Sequence, residues 1–228
     1  MCGRYALKTS TPALAKRLGV DTKVDSEFTD HGPSYNIAPT QDILTCRVNR
    51  DTKREMTSMR WGLIPSWSKG DSSKFNMINA RAESITERPA YRTAFRFRRC
   101  LIPADGFYEW QRFDGRKQPY FIGLESRQPL MFAGIWERWR SDKGHYVTSC
   151  AIITTQANDT LSTIHHRMPV LIDDDQFEAW LDPSLTDTKS ITEWLRPYTR
   201  QPMQAYAVST FVNRALNNDA RCWQPLSN

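Results

Sequence analysis

Cys100-Leu101-Ile102-Pro103-Ala104-Asp105-Gly106-Phe107-Tyr108-Glu109-Trp110 reads as strand, turn, strand: an apolar run, an Asp-Gly turn signal, then an aromatic run. If the second run is extended, Glu109 faces opposite to Tyr108 and Trp110, because side chains alternate across a strand. Further strands follow with hairpin punctuation: Asp114-Gly115, Tyr120 to Leu124, Leu130 to Trp136, a turn at Asp142-Lys143-Gly144, and Tyr146 to Thr155. Upstream, Leu44, Cys46 and Val48 alternate with Thr45, Arg47 and Asn49 as a half-buried strand should, and Asn49 to Lys53 is a turn. Downstream, Val170 to Ile172 reads as a short strand, and Gln204 to Val212 as a last strand before a polar tail. Helical signals lie at the periphery. Ser10-Thr11-Pro12 opens a short capped helix, and Arg88 to Arg99 carries Ala90, Tyr91, Ala94 and Phe95 at helical spacing with five arginines on a solvated face. Asp173 to Asp175 cap a helix through Phe177, Trp180 and Leu181, and another runs near Ile191 to Leu195. Strands in runs with a few peripheral helices predict an α+β fold, largely antiparallel, with a β-barrel-like core. No linker, repeat or low-complexity segment divides the 228 residues, so one domain spanning 1–228 is expected.

The aromatic load of 8 Trp, 8 Tyr and 10 Phe suffices for a packed core and for stacking surfaces besides. No apolar run approaches the ~18–20 residues of a membrane span, and no apolar stretch follows the amino terminus, so a cytoplasmic location is expected. Cys2, Cys46, Cys100, Cys150 and Cys222 are odd in number and scattered, which points to a reducing compartment and away from a disulfide framework or a structural zinc site. Cys46, Cys100 and Cys150 sit in apolar runs and read as buried small hydrophobes, with Cys2 the exception. The net charge of +6 has a local origin: Lys53 to Arg116 holds 13 Lys/Arg against 7 Asp/Glu, and the rest of the chain balances. A polyanion such as nucleic acid is one partner for such a segment, and a solvated face is the plain alternative.

Four elements carry chemistry. Removal of Met1 would make Cys2 an N-terminal residue with two nucleophiles, a thiol and an α-amine of ordinary pKa near ~7.7–8.0. With an aldehyde the amine forms a Schiff base and the thiol closes a five-membered thiazolidine; with an acyl group the thiolate attacks and the amine serves as base. The other three are Asn79-Ala80-Arg81, Glu109 among aromatics, and His165 in a polar turn. Singly, each has a plain reading: a tail cysteine, a half-exposed strand glutamate, a hydrogen-bonded loop histidine. His165-His166 completes no metal ligand set, and no metal or cofactor is expected.

Taken together, Met1-Cys2-Gly3-Arg4, Tyr35-Asn36-Ile37-Ala38-Pro39, Arg60-Trp61-Gly62-Leu63-Ile64-Pro65, Ile78-Asn79-Ala80-Arg81-Ala82-Glu83, the stretch quoted first and Ile164-His165-His166-Arg167-Met168-Pro169 resemble the successive motifs of the SRAP family, the SOS response-associated peptidases or abasic-site processing proteins. The resemblance implies a single SRAP domain that binds single-stranded DNA and crosslinks to abasic sites through Cys2 as a thiazolidine. It implies that Asn79 orients the reacting end, that Glu109 shuttles protons, and that His165 assists the Schiff-base steps and slow reversal. It further implies phosphate contacts from Arg4, Arg81 and Arg167, stacking on Trp67 and Trp110, and a DNA channel lined by Asn36, Pro39, Thr154 and Met168. Ser68 stands where some relatives have a second aromatic. A monomer is expected, nucleoid-associated if bacterial, and only Met1 is there for a peptidase-like step to remove. Two rivals stay open: an N-terminal-nucleophile amidotransferase, which also starts Met-Cys-Gly, and a non-catalytic single-strand-binding module.

Overall fold

The computed structural model describes residues 2–21, 32–69 and 77–226. Met1, Asn76 and most of the expected loop from Asp21 to Ser34 lie outside the described residues. In chain order the elements are β1 (Tyr5–Leu7), α1 (Thr11–Leu18), β2 (Ser34–Ile37), β3 (Asp42–Val48), β4 (Arg54–Trp61), β5 (Asn79–Arg81), α2 (Arg92–Phe97), β6 (Arg99–Ala104), β7 (Gly106–Phe113), β8 (Arg116–Leu124), β9 (Leu130–Arg140), β10 (Tyr146–Gln156), α3 (Asp159–Ser162), β11 (Arg167–Pro169), α4 (Phe177–Leu181), α5 (Thr188–Thr192) and β12 (Met203–Ala207). The fold is α+β with a barrel core, as the sequence predicts.

Strands β10, β4, β3, β6 and β9 form a path that closes because β9 pairs with β10, giving a five-stranded barrel. The second sheet runs β12-β8-β7-β1-β2 and is antiparallel throughout. Two pairings in the first sheet are parallel, β10 with β4 and β10 with β5. Strand β10 thus divides its length: Ser149 and Cys150 close the barrel against β4, while Ile152 to Thr154 receive β5. Closure leaves β3 and β6 covered on both faces, so Ile43 to Cys46 are all buried and the expected half-buried alternation is not seen in that part of β3.

Asp105 marks a switch between sheets. Strands β6 and β7 do not pair as a hairpin; β6 belongs to the barrel and β7 to the other sheet. The Asp105 carboxylate accepts from Thr9 N–H at 2.8 Å and Thr9 Oγ1 at 2.5 Å, and from Lys8 N–H, which ties the switch to the end of β1. Gly106 is required by close approach: a Cβ there would lie 2.3 Å from Phe121 Cζ and 2.6 Å from Ile122 O. The next hairpin, β7–β8, turns on Asp114 (φ 46°) and Gly115 (φ 73°), the left-handed pair that the strand twist favours.

Several local expectations change. Arg99 is not on a solvated helix face: α2 ends at Phe97, and the buried Arg99 donates to five carbonyls, those of Phe95, Arg96, Trp180, Asp182 and Leu185. That environment lowers its pKa to about 10, chiefly through burial. Ser10 occupies the N-cap of α1 but makes no side-chain cap bond. The short strand expected at Val170 to Ile172 lies earlier, at β11, with Leu171 bridging only to Phe132. Strand β12 stops at Ala207, and a 3-10 turn covers Thr210–Asn213. The polar tail is ordered through Leu226 and covers one face of the second sheet, where Val212 and Cys222 pack with Tyr108 and Phe121.

Candidate active site

Register delivers Cys2 to Glu109. Tyr5 pairs with Phe107 and Ala6 with Gly106, and Tyr108 N–H donates to Arg4 O at 2.9 Å. Continuing that ladder brings Gly3 opposite Glu109 with Cys2 beyond it. Alternation along β7 does the rest: Phe107 enters the main core, Tyr108 and Trp110 join the second cluster, and Glu109 turns to the side of Cys2. Asn79 arrives from β5, held against Ile152, and its Nδ2 donates to Cys2 O at 2.8 Å. Tyr91 Oη donates to Asn79 O at 3.1 Å and fixes that strand from below. His165 comes from the turn after α3, with Nε2 at 3.8 Å from Glu109 Oε2. Its Nδ1 lies 3.1 Å from both the N and the O of Arg167, so either imidazole tautomer finds a partner there.

All five cysteines, Cys2 included, are buried and unpaired, so Cys2 does not differ from the others in exposure. Burial, then the charge of Glu109, pushes the Cys2 thiol up and keeps it protonated. Burial likewise raises Glu109 to about 7, against the pull of the α-amino charge and, after it, of the Trp110 N–H, so this carboxyl holds or gives up its proton near neutrality. Burial lowers His165, which is therefore a neutral imidazole at neutral pH. These groups come from four separate segments and converge beside an open cleft of about 420 Å³ bounded by Glu109, Trp110, Arg112, Lys117, His165 and Asn213.

The other expected DNA contacts divide by exposure. Arg81 is exposed at the end of β5 and Pro39 is half-exposed. Trp110 is half-buried, its Nε1 donating to Asn213 Oδ1 at 2.8 Å. Trp67 is 64% exposed and precedes Ser68, whose O accepts from Trp139 Nε1; Trp139 pairs with Val147, about 17 Å along the strand from the partner of Asn79. Arg167, Thr154, Met168 and Asn36 are buried. The Arg167 guanidinium grips Glu83 bidentately at 2.5 and 3.0 Å and Thr154 O at 2.6 Å, because a buried cation needs a compensating partner, and its expected phosphate contact stays a proposal. The expected place of the buried Thr154, Met168 and Asn36 along a DNA channel stays a proposal as well. Asn36 Nδ2 donates to the carbonyls of Val212, Arg214 and Asn217, and its Oδ1 accepts from Arg4 Nη1 at 2.7 Å. Arg4 also donates to Val212 O, so the amino-terminal segment is strapped to the carboxyl-terminal one.

The basic middle segment is not one surface either. Arg54 donates to Leu18 O, Arg60 to Gly62 O, and Arg98 pairs with Glu137, leaving Lys53, Lys69, Arg81, Arg88, Arg92, Arg96, Arg112 and Arg116 exposed among the described residues. Sequence reasoning missed Glu83 as the partner of Arg167, although it lies in the same short motif as Arg81, and it missed Arg112 and Lys117 at the cleft.

A cysteine at position 2 thus lies with an amide, a carboxyl and an imidazole in a fold of one barrel and one sheet. The chain belongs to the SOS response associated peptidase (SRAP) family, whose model matches residues 1–215. It is 40% identical over 219 residues, 96% of each chain, to the abasic site processing protein YoqW of Bacillus subtilis. It is 33% identical over 264 residues to the abasic site processing protein HMCES of Gallus gallus, covering 99% of this chain and 78% of that one. Among solved structures, a Bacteroides thetaiotaomicron protein superposes with a TM-score of 0.86 at 27% identity, covering 99% of this chain and 100% of that one. Among the described residues, no helix is long and apolar enough to cross a membrane.

Proposed function

We propose that this protein processes abasic sites in single-stranded DNA by forming a covalent thiazolidine with the lesion, and that it acts as a monomer in the cytoplasm. The observation that carries the reading is the convergence of Cys2, Asn79, Glu109 and His165, in a family whose relatives are named for abasic-site processing. Removal of Met1 frees the Cys2 amine. The amine adds to the aldehyde carbon of the ring-opened sugar, and the carbinolamine loses water to give an imine. Glu109, poised near pH 7, supplies the proton that lets water leave. The Cys2 thiol then adds to the imine carbon: a C–S bond forms, the S–H proton moves to nitrogen, and one water is lost overall. A protonated thiol suits this order, because the amine reacts first and the thiol follows. Asn79 holds the Cys2 carbonyl and with it the reacting end. Neutral His165 takes up and returns protons during imine formation and slow reversal, and a lyase-type cleavage from the same imine is open to this site. Arg81, Arg4 and Arg167 attract the strand, the tryptophans offer stacking surfaces, and Asn36, Pro39, Thr154 and Met168 lie along the channel; Arg167 also holds β11 to Glu83. Shielding the lesion as a covalent adduct is the role in the damage response that follows.

The test is intact mass after incubation with a single-stranded oligonucleotide carrying one abasic site, with intact oligonucleotide and with glutamine as controls. We expect loss of Met1 and one denaturant-stable adduct with the abasic strand alone, absent in Cys2→Ala. An adduct retained in that variant rejects the thiazolidine, and glutamine hydrolysis would favour the amidotransferase reading.

A further inference from the structure

The cleft beside Glu109 and His165 has a rim made of hydrogen-bond donors. Arg112 on β7 and Lys117 on β8 are directly opposed cross-strand partners. Both are exposed, and neither has a salt bridge among the described residues. Like charges directly opposite one another in a ladder destabilise it, so the hairpin carries a cost that its own residues do not offset. Asn213 adds a third donor: its Oδ1 is committed to Trp110 Nε1, which leaves its NH₂ group turned away from that bond. Among the described residues, the one carboxyl bounding the cleft is that of Glu109, which is 3% exposed. By the alternation along β7, Arg112 and its partner Lys117 lie on the Trp110 face and Glu109 on the other, so the cleft wraps around β7 with two cations and an amide, an anion seat, on one side and the acid-base pair on the other.

Resting on the function proposed above, we infer that Arg112, Lys117 and Asn213 hold the phosphodiester immediately beside the reacting sugar. They would set the C1′ carbon in front of Cys2 while Glu109 and His165 move protons. The ligand is a phosphate monoanion of the DNA backbone, a contact that fixes register and carries no base preference. It places the β7–β8 hairpin within the DNA interface, together with the exposed Arg81.

The test compares wild type with Arg112→Gln/Lys117→Gln in two measurements. The first is binding of an intact single-stranded oligonucleotide as a function of salt. We expect the slope of log K against log salt to become shallower by about 0.7, the value for one phosphate of a single strand, with affinity falling roughly fivefold at low salt. The second is the rate of adduct formation on oligonucleotides in which each phosphodiester flanking the abasic site is replaced, one at a time, by a neutral methylphosphonate. One of the two replacements should slow the wild type about as much as the double substitution does and should not slow the variant further. The melting temperature of the variant should be equal or higher, because a like-charge pair has been removed, so a slower rate does not reflect unfolding. An unchanged salt slope, or methylphosphonates that slow both proteins equally, overturns the anion seat. Absence of any wild-type adduct overturns the proposed function instead, and the salt slope on intact DNA then decides the seat by itself.

Discussion

At the scale of single residues, Glu109 links stability to pH. Its folded pKa of about 7 lies above the ordinary 4.5 because burial disfavours the carboxylate. The folded state therefore binds the proton more tightly than the unfolded state does. The stability this contributes is fully present below about pH 4.5 and is lost as pH rises through about 7. Glu109→Gln keeps the shape and cannot ionise, so its stability relative to wild type should grow by up to about 3 kcal/mol between pH 4.5 and 8. Denaturant midpoints of both proteins at the two ends of that range measure it; a constant difference would show that Glu109 is ionised in the fold. The same variant should lose most adduct formation at every pH, since its amide cannot return a proton. Cys2 and Glu109 were legible as residues, one from its position and one from its aromatic surround. Their environment was not, because burial of Cys2 depends on β5 and β7 arriving from distant parts of the chain.

At the scale of elements, β7 carries the site, and its placement depends on the switch at Asp105. The alternation of Tyr108, Glu109 and Trp110 could be read directly from period two, and the structure keeps it. The change of sheet could not, since strand, turn, strand reads alike for a hairpin and for a chain crossing between layers. The difference lies in the bonds of Asp105 to residues 8 and 9, which are remote in sequence. Gly106→Ala tests the switch. The added methyl meets Phe121 and the Ile122 carbonyl, and the backbone cannot retreat cheaply, so we expect a loss of about 1–3 kcal/mol in chemical denaturation. A neutral result would mean that the two sheets can part at this point. Helix α2 shows the converse failure: the apolar spacing predicts a helix from Arg88 to Arg99, yet only Arg92–Phe97 is helical, Ala90 and Tyr91 precede it in a turn, and Arg99 lies in β6 where its guanidinium meets five carbonyls.

At the scale of the whole molecule, barrel, sheet and α+β class followed from the run of hairpin signals, while the role of the carboxyl-terminal segment did not. Its asparagines carry no periodicity; Asn217 and Asn218 acquire meaning only where Asn36 and Tyr35 meet them. Strand β1 lies inside the second sheet, flanked by β2 and β7, whereas β12 lies at its edge, pairing with the strand β8 and otherwise held by the tail, where Leu226 N–H donates to Ala207 O. A chain end fixed covalently to DNA becomes a mechanical anchor, and the direction of load then matters. Tension entering at Cys2 runs along β1 and must shear its bonds to both neighbours together, while tension entering from the other terminus can peel β12 one bond at a time. In an optical trap, with the DNA adduct as one handle and the carboxyl terminus as the other, residues from Met203 onward should release first and the adduct end last. The reverse order would show that β1 is the weaker seam. Under the proposed function, a protein holding an abasic strand through Cys2 would be fastened at the end of its fold that resists pulling best.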